Sequence, residues 1–290
     1  MDSLKMLWPE GRTKALTFSY DDGVVQDRRL IALMRKYGLQ GTFNLNSGFL
    51  GWHDDIIRDD RVVDHSHIPP EEVAALYDGF EVAVHTVTHP DLRALDDAAV
   101  LREVLDDRRA LERLTGYPVH GMAYPFGTTD SRVQGLLKAC GIRFSRGVRA
   151  TADFSLPEDP LEWACSCHHY DLEELIDPFL AEGDDLRLLS VWGHAYEFDQ
   201  KDEWEKIDGQ LARLGGHGDV WYATNIEVFD YIAAFKALDA SVDGLLVRNE
   251  SATTLWCLDR GQALRLEPGQ TLRRAEPSAE QVHPFRIWKG

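Results

Sequence analysis

Two short clusters in this 290-residue chain carry side chains able to hold a divalent cation. Asp21 and Asp22 stand in Tyr20-Asp21-Asp22-Gly23, and His85 and His89 bracket His85-Thr86-Val87-Thr88-His89. Imidazoles four positions apart on one helical turn project to the same side and reach one ion. Together with one carboxylate they make a three-ligand shell that leaves a coordination place for water, which suits catalysis better than structural support. An Asp-Asp-Gly alone is equally what a turn uses, with carboxylates accepting backbone N–H groups. Placement in the fold therefore decides between the two readings.

The elements around these clusters place them. Short β-rich runs at Ala15–Tyr20, Gly41–Asn46, Glu81–Val84, His120–Tyr124, Arg143–Ser145, Leu161–Ala164, Arg187–Trp192 and Val220–Ala223 alternate with helical segments. The clearest helix runs from about Asp96 to Leu114, with Val100, Leu101, Val104, Leu105, Leu111 and Leu114 at near-helical spacing and Thr115-Gly116 as its stop. Strand and helix in repetition imply parallel strands under covering helices, and seven or eight units favour an α/β fold closed into a (β/α)7-8 barrel. In such a barrel the loops after the strands converge on one face, so Asp21, Asp22, His85 and His89 meet there. Tyr124-Pro125-Phe126-Gly127 and Trp192-Gly193-His194 also begin where a strand stops. His168 and His169 follow the sixth strand and are expected at the mouth, as substrate contacts or a fourth ligand. His53, His65, His67, His120, His217 and His283 show no such coincidence and read as loop or surface residues. Beyond residue 238 short alternating runs separated by turn sequences read as β-hairpins, so the expected domains are 1–238, the catalytic barrel, and 239–290, a small antiparallel appendage.

Composition sets the outer limits. With 31 basic and 49 acidic residues the formal charge is −18, which repels phosphate backbones and anionic membranes, so neither nucleic acid nor membrane is an expected partner. Without a legible signal peptide or a run of roughly 20 apolar residues, a soluble, cytoplasmic protein is expected. Cys140, Cys165, Cys167 and Cys257 are too few and too irregular for a disulfide scaffold and read as reduced thiols.

Leu16-Thr17-Phe18-Ser19-Tyr20-Asp21-Asp22-Gly23 resembles the TFDDG motif of the polysaccharide deacetylase family, the NodB-type carbohydrate esterases, with an extra residue before the aspartates. His85-Thr86-Val87-Thr88-His89 matches that family's H(S/T)xxH motif, and Tyr124-Pro125-Phe126-Gly127 is similar to its third motif. The resemblance implies a distorted barrel and a zinc-type cation, with cobalt or nickel as alternatives, held by Asp22, His85 and His89. It implies Asp21 as general base and the backbone N–H of Phe126 as donor to the developing oxyanion. His194, where the family carries its Leu-x-His motif, becomes the general acid. Tyr124, Pro125, Trp192, His168 and His169 are the expected substrate contacts.

One departure stands out. The family places an Arg two positions before the third-motif Pro, where this chain has Ala123. Arg146, at the end of the fifth strand, lies on the correct face to pair with Asp21 instead. The expected activity is metal-dependent hydrolysis of a linear amide, deacetylation of an N-acetylated amino sugar, on a small-molecule or oligosaccharide substrate. Hydrolysis of a non-sugar amide or cyclic ureide, or noncatalytic carbohydrate binding, are the alternatives.

Overall fold

The structure, a computed structural model, describes residues 4–58 and 60–275; His283 lies outside them. Backbone contacts divide the described residues into two compact units, one within 13–229 and one made of the segments up to residue 12 and from residue 230 onward.

The larger unit is a distorted (β/α) barrel. Its strands are β1 (Lys14–Asp22), β2 (Gly41–Leu45), β3 (Glu81–Val84), β4 (Gly121–Ala123), β5 (Phe144–Ala150), β6 (Trp163–Cys165), β7 (Cys167–His168), β8 (Arg187–His194) and β9 (Val220–Tyr222). All pairings are parallel, in the order β7-β8-β1-β2-β3-β4-β5-β6. The ring closes through one kinked segment, because β6 pairs with β5 while β7 pairs with β8. Between them Ser166 N donates to Ser190 O at 2.8 Å and Ser166 Oγ to Leu188 O at 3.1 Å. β9 pairs with Lys14–Leu16, the part of β1 that lies before its pairing with β2 begins at Phe18.

The expected strands are present with shifted ends. β1 and β8 run two residues further than their apolar patterns, so Asp21, Asp22 and His194 belong to strand ends rather than to turns. Every residue of β1 is buried, but its two faces differ. Leu16, Phe18 and Tyr20 join the apolar core, whereas Thr17, Ser19 and Asp21 alternate to a polar interior shared with Thr42, Asn44, Glu81 and Arg146. This interior is hydrogen-bonded: Thr42 Oγ1 donates to Glu81 Oε2 at 2.7 Å, and Asn44 Nδ2 to Ser19 Oγ at 2.9 Å.

The expected helix spans Asp97–Thr115, capped by the Asp96 carboxylate accepting from Ala99 N at 2.8 Å and ended by Gly116 at φ 79°. The antiparallel hairpin of Asp55–Arg58 with Arg61–Asp64 has no counterpart in the sequence reading.

In the smaller unit, Leu255–Asp259 and Gln262–Leu266 form a hairpin around Arg260-Gly261, both at positive φ. Lys5–Leu7 pairs antiparallel with its first strand. Asp239–Ala240, Leu246–Arg248 and Thr271–Arg273 form a second antiparallel sheet. All four cysteines are buried and free. Among the described residues no helix is long and apolar enough to cross a membrane.

Gly193 in β8 shows how closely the barrel packs at the mouth, since a Cβ there would lie 2.1 Å from His169 Nδ1. Gly193→Ala is expected to destabilise the fold by about 1–3 kcal/mol through overpacking, seen as a lower denaturant midpoint; an unchanged midpoint would show that the His169 ring is free to move.

Candidate metal centre and active site

Asp22 ends β1, and His85 and His89 follow β3. The Thr86–His89 stretch is a loop and not the helical turn expected from the spacing; Thr86 and His89 take positive φ of 71° and 54°. Backbone reversal at these two residues, rather than helical periodicity, brings the rings to a centroid separation of 4.7 Å. The loop is clamped from the helix Asp97–Thr115. Glu103, one turn before Asp107, accepts from Thr88 N at 2.9 Å and Thr88 Oγ1 at 2.8 Å. Asp107 accepts from His85 N at 3.0 Å and Ser47 N at 2.7 Å. Asp22 (φ 77°) and Phe126 (φ 58°) are also left-handed, so four non-glycine residues of the site hold a backbone conformation that costs free energy, as functional sites often do.

One ligand atom each from Asp22, His85 and His89 lie within 4.8 Å of one another. His85 Nε2 is 3.5 Å and His89 Nε2 is 3.9 Å from Asp22 Oδ1. His85 Nδ1 lies 2.8 Å from Ala123 O; a carbonyl only accepts, so the proton sits on Nδ1 and the Nε2 lone pair faces the cluster. That Nε2 is buried without a hydrogen-bond partner, a cost that a cation removes. Burial, then the neighbouring His85, lowers His89 to about 4, which keeps its imidazole neutral and able to ligate. Burial opposes ionisation of Asp22, but the surrounding imidazoles, His65 first, outweigh it and hold its carboxyl far below the usual range. The residues fit a divalent cation.

Asp21 is held away from this cluster. Arg146, with no exposure to water, bonds Asp21 Oδ1 through Nη2 and Ser19 Oγ through Nε at 3.1 Å. Asn44 Nδ2 adds a bond to the same Oδ1 at 2.9 Å. The second oxygen, Oδ2, lies 4.0 Å from His85 Nε2 and 3.9 Å from His194 Nε2. Arg146 is the direct register partner of Ala123 on the neighbouring strand, so the cation missing at position 123 is supplied one strand over at the same level. His194 Nδ1 lies 3.2 Å from Glu197 Oε2, which also accepts from His194 N at 3.0 Å. Burial opposes its charged form, yet Glu197, Asp22 and Asp21 outweigh burial and raise His194 to about 9.

A cavity of about 480 Å³ opens onto these groups. Of the expected substrate contacts, Tyr124 and Trp192 line it, as does Phe126, the expected oxyanion donor. Pro125 is buried beneath. His168 and His169 are outside its lining; they surround Glu197 from behind His194, with Nε2 atoms 3.2 and 3.5 Å from Oε2. The surface reading fails for two histidines. His65 and His67 line the cavity, His65 Nε2 lies 3.6 Å from Asp22 Oδ2, and His67 is 5% exposed. The hairpin before them turns both inward, a placement no pattern in the chain announces. Asn44 and Ser19 are equally silent, but Asp107 leaves a signal, an acid on the same helical stripe as Val100, Val104 and Leu111.

Residues 9–145 match the polysaccharide deacetylase family, and this segment carries Asp21, Asp22, His85, His89 and Tyr124–Gly127. The family comprises hydrolases of amide bonds and generally uses a divalent metal. A protein from Mycobacterium smegmatis assigned to the polysaccharide deacetylases superposes with a TM-score of 0.58 at 15% identity, over 81% of this chain and 96% of that one. A mutant of BA3943, a pseudoenzyme of carbohydrate esterase family 4 from Bacillus anthracis with restored enzymatic activity, gives 0.51 at 14% identity over 75% and 68%. The match to deacetylase PplD of Streptococcus pyogenes, in complex with acetate, has a TM-score of 0.40 at 16% identity; it covers 46% of this chain and about half, 55%, of that one. At these identities the likeness establishes the fold. No curated protein matches the chain in sequence.

Two predictions follow from this geometry. Purified chain is expected to carry one divalent cation at this cluster, lost in His85→Ala and bound roughly 10–100-fold more weakly in Asp107→Ala, measured by metal analysis after chelator titration. Full retention by His85→Ala would remove the cluster as a metal site. In Glu197→Gln, loss of the carboxylate that favours the imidazolium should bring His194 from about 9 toward the ordinary 6.5, read from ring-proton NMR; an unmoved titration would assign the shift to other charges.

Proposed function

We propose that the chain is a divalent-cation-dependent hydrolase that removes an acyl group from an amide nitrogen, with an N-acetylated amino sugar as substrate class. The observation that carries this reading is the division of labour between adjacent aspartates. Asp22 faces the imidazole pair, while Asp21 is held by Arg146 and Asn44 with Oδ2 turned to the same space.

A cation on Asp22, His85 and His89, zinc first with cobalt or nickel as alternatives, supplies Lewis acidity and lowers the pKa of water from 15.7 toward ~7. Asp21 Oδ2 then accepts the proton of the attacking water. Arg146 and Asn44 fix the carboxylate through its other oxygen, so the base is oriented without being a ligand. The backbone N–H of Phe126, presented at positive φ on the mouth, is the donor toward the oxygen that gains charge. On the opposite side His194 Nε2, 3.9 Å from Asp21 Oδ2, delivers a proton to the departing nitrogen, and Glu197 keeps the ring charged and oriented. The absent Arg at position 123 is the feature that favours the noncatalytic alternative, and Arg146 bonded to Asp21 supports the catalytic reading in its place.

The test is turnover of metal-loaded chain on N-acetylglucosamine oligomers and small acyl amides. Asp21→Asn should retain the metal and lose about 10²–10⁴-fold in kcat. Undiminished kcat in that variant would falsify the role of Asp21, and no turnover on the whole panel would overturn the reading.

A further inference from the structure

The hairpin Asp55–Arg58 with Arg61–Asp64 is pinned from both sides of the barrel mouth. Gln26 Nε2 donates to Asp64 O at 2.7 Å and to Asp199 Oδ2 at 2.8 Å. Arg61 Nη1 donates to Gln200 O at 3.1 Å. His65, just past the hairpin, meets Tyr196 edge-on with ring centroids 4.9 Å apart. The loops after β1 and β8 thus hold the hairpin as a wall of the cavity.

Strand alternation decides what this wall presents. Ile57 and Val62 are register partners and point to solvent, 75% and 71% exposed. Ile56 and Arg58 take the other face and line the cavity. Arg61, the partner of Arg58, is committed to Gln200, but among the described residues no carboxylate pairs with Arg58. The two carboxylates that line the cavity are already engaged, Asp21 by Arg146 and Asp22 by the imidazoles. Trp192, another lining residue, has a buried indole N–H with no acceptor. A guanidinium and an indole donate only. The Trp192 nitrogen is sealed within the wall, so the guanidinium of Arg58, exposed on the lining of the cavity, is the donor that a ligand's acceptors can reach. The unpaired guanidinium adds a sign, which runs against the overall charge of −18.

We infer that this hairpin is the specificity element of the site and that Arg58 binds an anionic oxygen group, carboxylate or phosphate, on a small acylated substrate. This rests on the amide-hydrolase reading and narrows it. A cavity of about 480 Å³ is within the range of small-molecule sites, and a charge-assisted bond to Arg58 is about twice as strong as a neutral one.

The experiment is calorimetric binding to the full, zinc-loaded chain of matched probes, independent of turnover. N-acetylglucosamine is compared with its 6-carboxylate and its 6-phosphate, and N-acetylglycinamide with N-acetylglycine. At least one charged member should bind about tenfold or more tighter than its neutral partner, with the preference shrinking as salt rises. The carboxylate and phosphate arms identify which anion is preferred. Arg58→Ala should bring the charged-to-neutral ratio close to one, and Arg58→Glu should invert it. Equal or undetectable binding of charged and neutral members, or a ratio unchanged in Arg58→Ala, overturns the inference. Hydrolysis without charge preference defeats this inference alone, whereas charge-selective binding with no hydrolysis of any probe defeats the catalytic reading and leaves the binding site standing.

Discussion

A guanidinium sealed from water against a carboxylate is the constraint on which the site rests. Taking two charges into a protein interior costs several kcal/mol per ion unless geometry and hydrogen bonds compensate. Arg146 meets that condition with Asp21, Ser19 Oγ, Gly147 O at 3.2 Å and the face of Trp192 4.9 Å away. The polar lining of the strands follows from this need. Ser19 and Asn44 occupy interior positions where an all-parallel barrel usually carries aliphatic side chains, and each bonds the pair or its neighbour. The arrangement consumes one oxygen of Asp21 and leaves the other turned to the open cavity. A base is thereby separated from a ligand although the two aspartates are adjacent in sequence.

Around that centre the loops are held in strained conformations by neighbours that lie far off in the chain. Thr86 and His89 keep positive φ while Glu103 and Asp107, on one face of one helix, grip the loop between them. Burial raises Asp107 to about 7, so its two accepted N–H bonds are what favour its carboxylate form. The Ala123 carbonyl selects the tautomer of His85. Strain at the ligands is thus offset by ordinary hydrogen bonds elsewhere, the pattern expected when geometry is set before a ligand arrives.

Glu197 organises the opposite wall. One carboxylate oxygen serves His194 and His168, with His169 packed beside it. Burial, then His168, keeps His169 neutral, so it acts as a packing surface against Tyr20 and Phe198, while His194 is the imidazole kept charged. His169 and His194 therefore take different protonation states although both adjoin Glu197, because burial dominates at the first and the Glu197, Asp22 and Asp21 carboxylates at the second.

The sequence alone carried the ordering of strands and helices, because burial on a helix or strand imposes a period that any single segment displays. It also carried Asp22, His85 and His89, through residue types rare in combination and placed where strands stop. Helical spacing, however, was the wrong reason for the histidine pair, which a reversed loop brings together. Arg146 was legible only as a residue on the correct strand end; its burial against Asp21 depends on the register of β4 with β5, a through-space relation. The hairpin at 55–64, with His65, His67 and Arg58, had no local signature, since its inward face exists only once Gln26 and Arg61 pin it to distant loops. Local patterns record what a segment buries; which segments it meets is set by packing, and the walls of this site are made of such meetings.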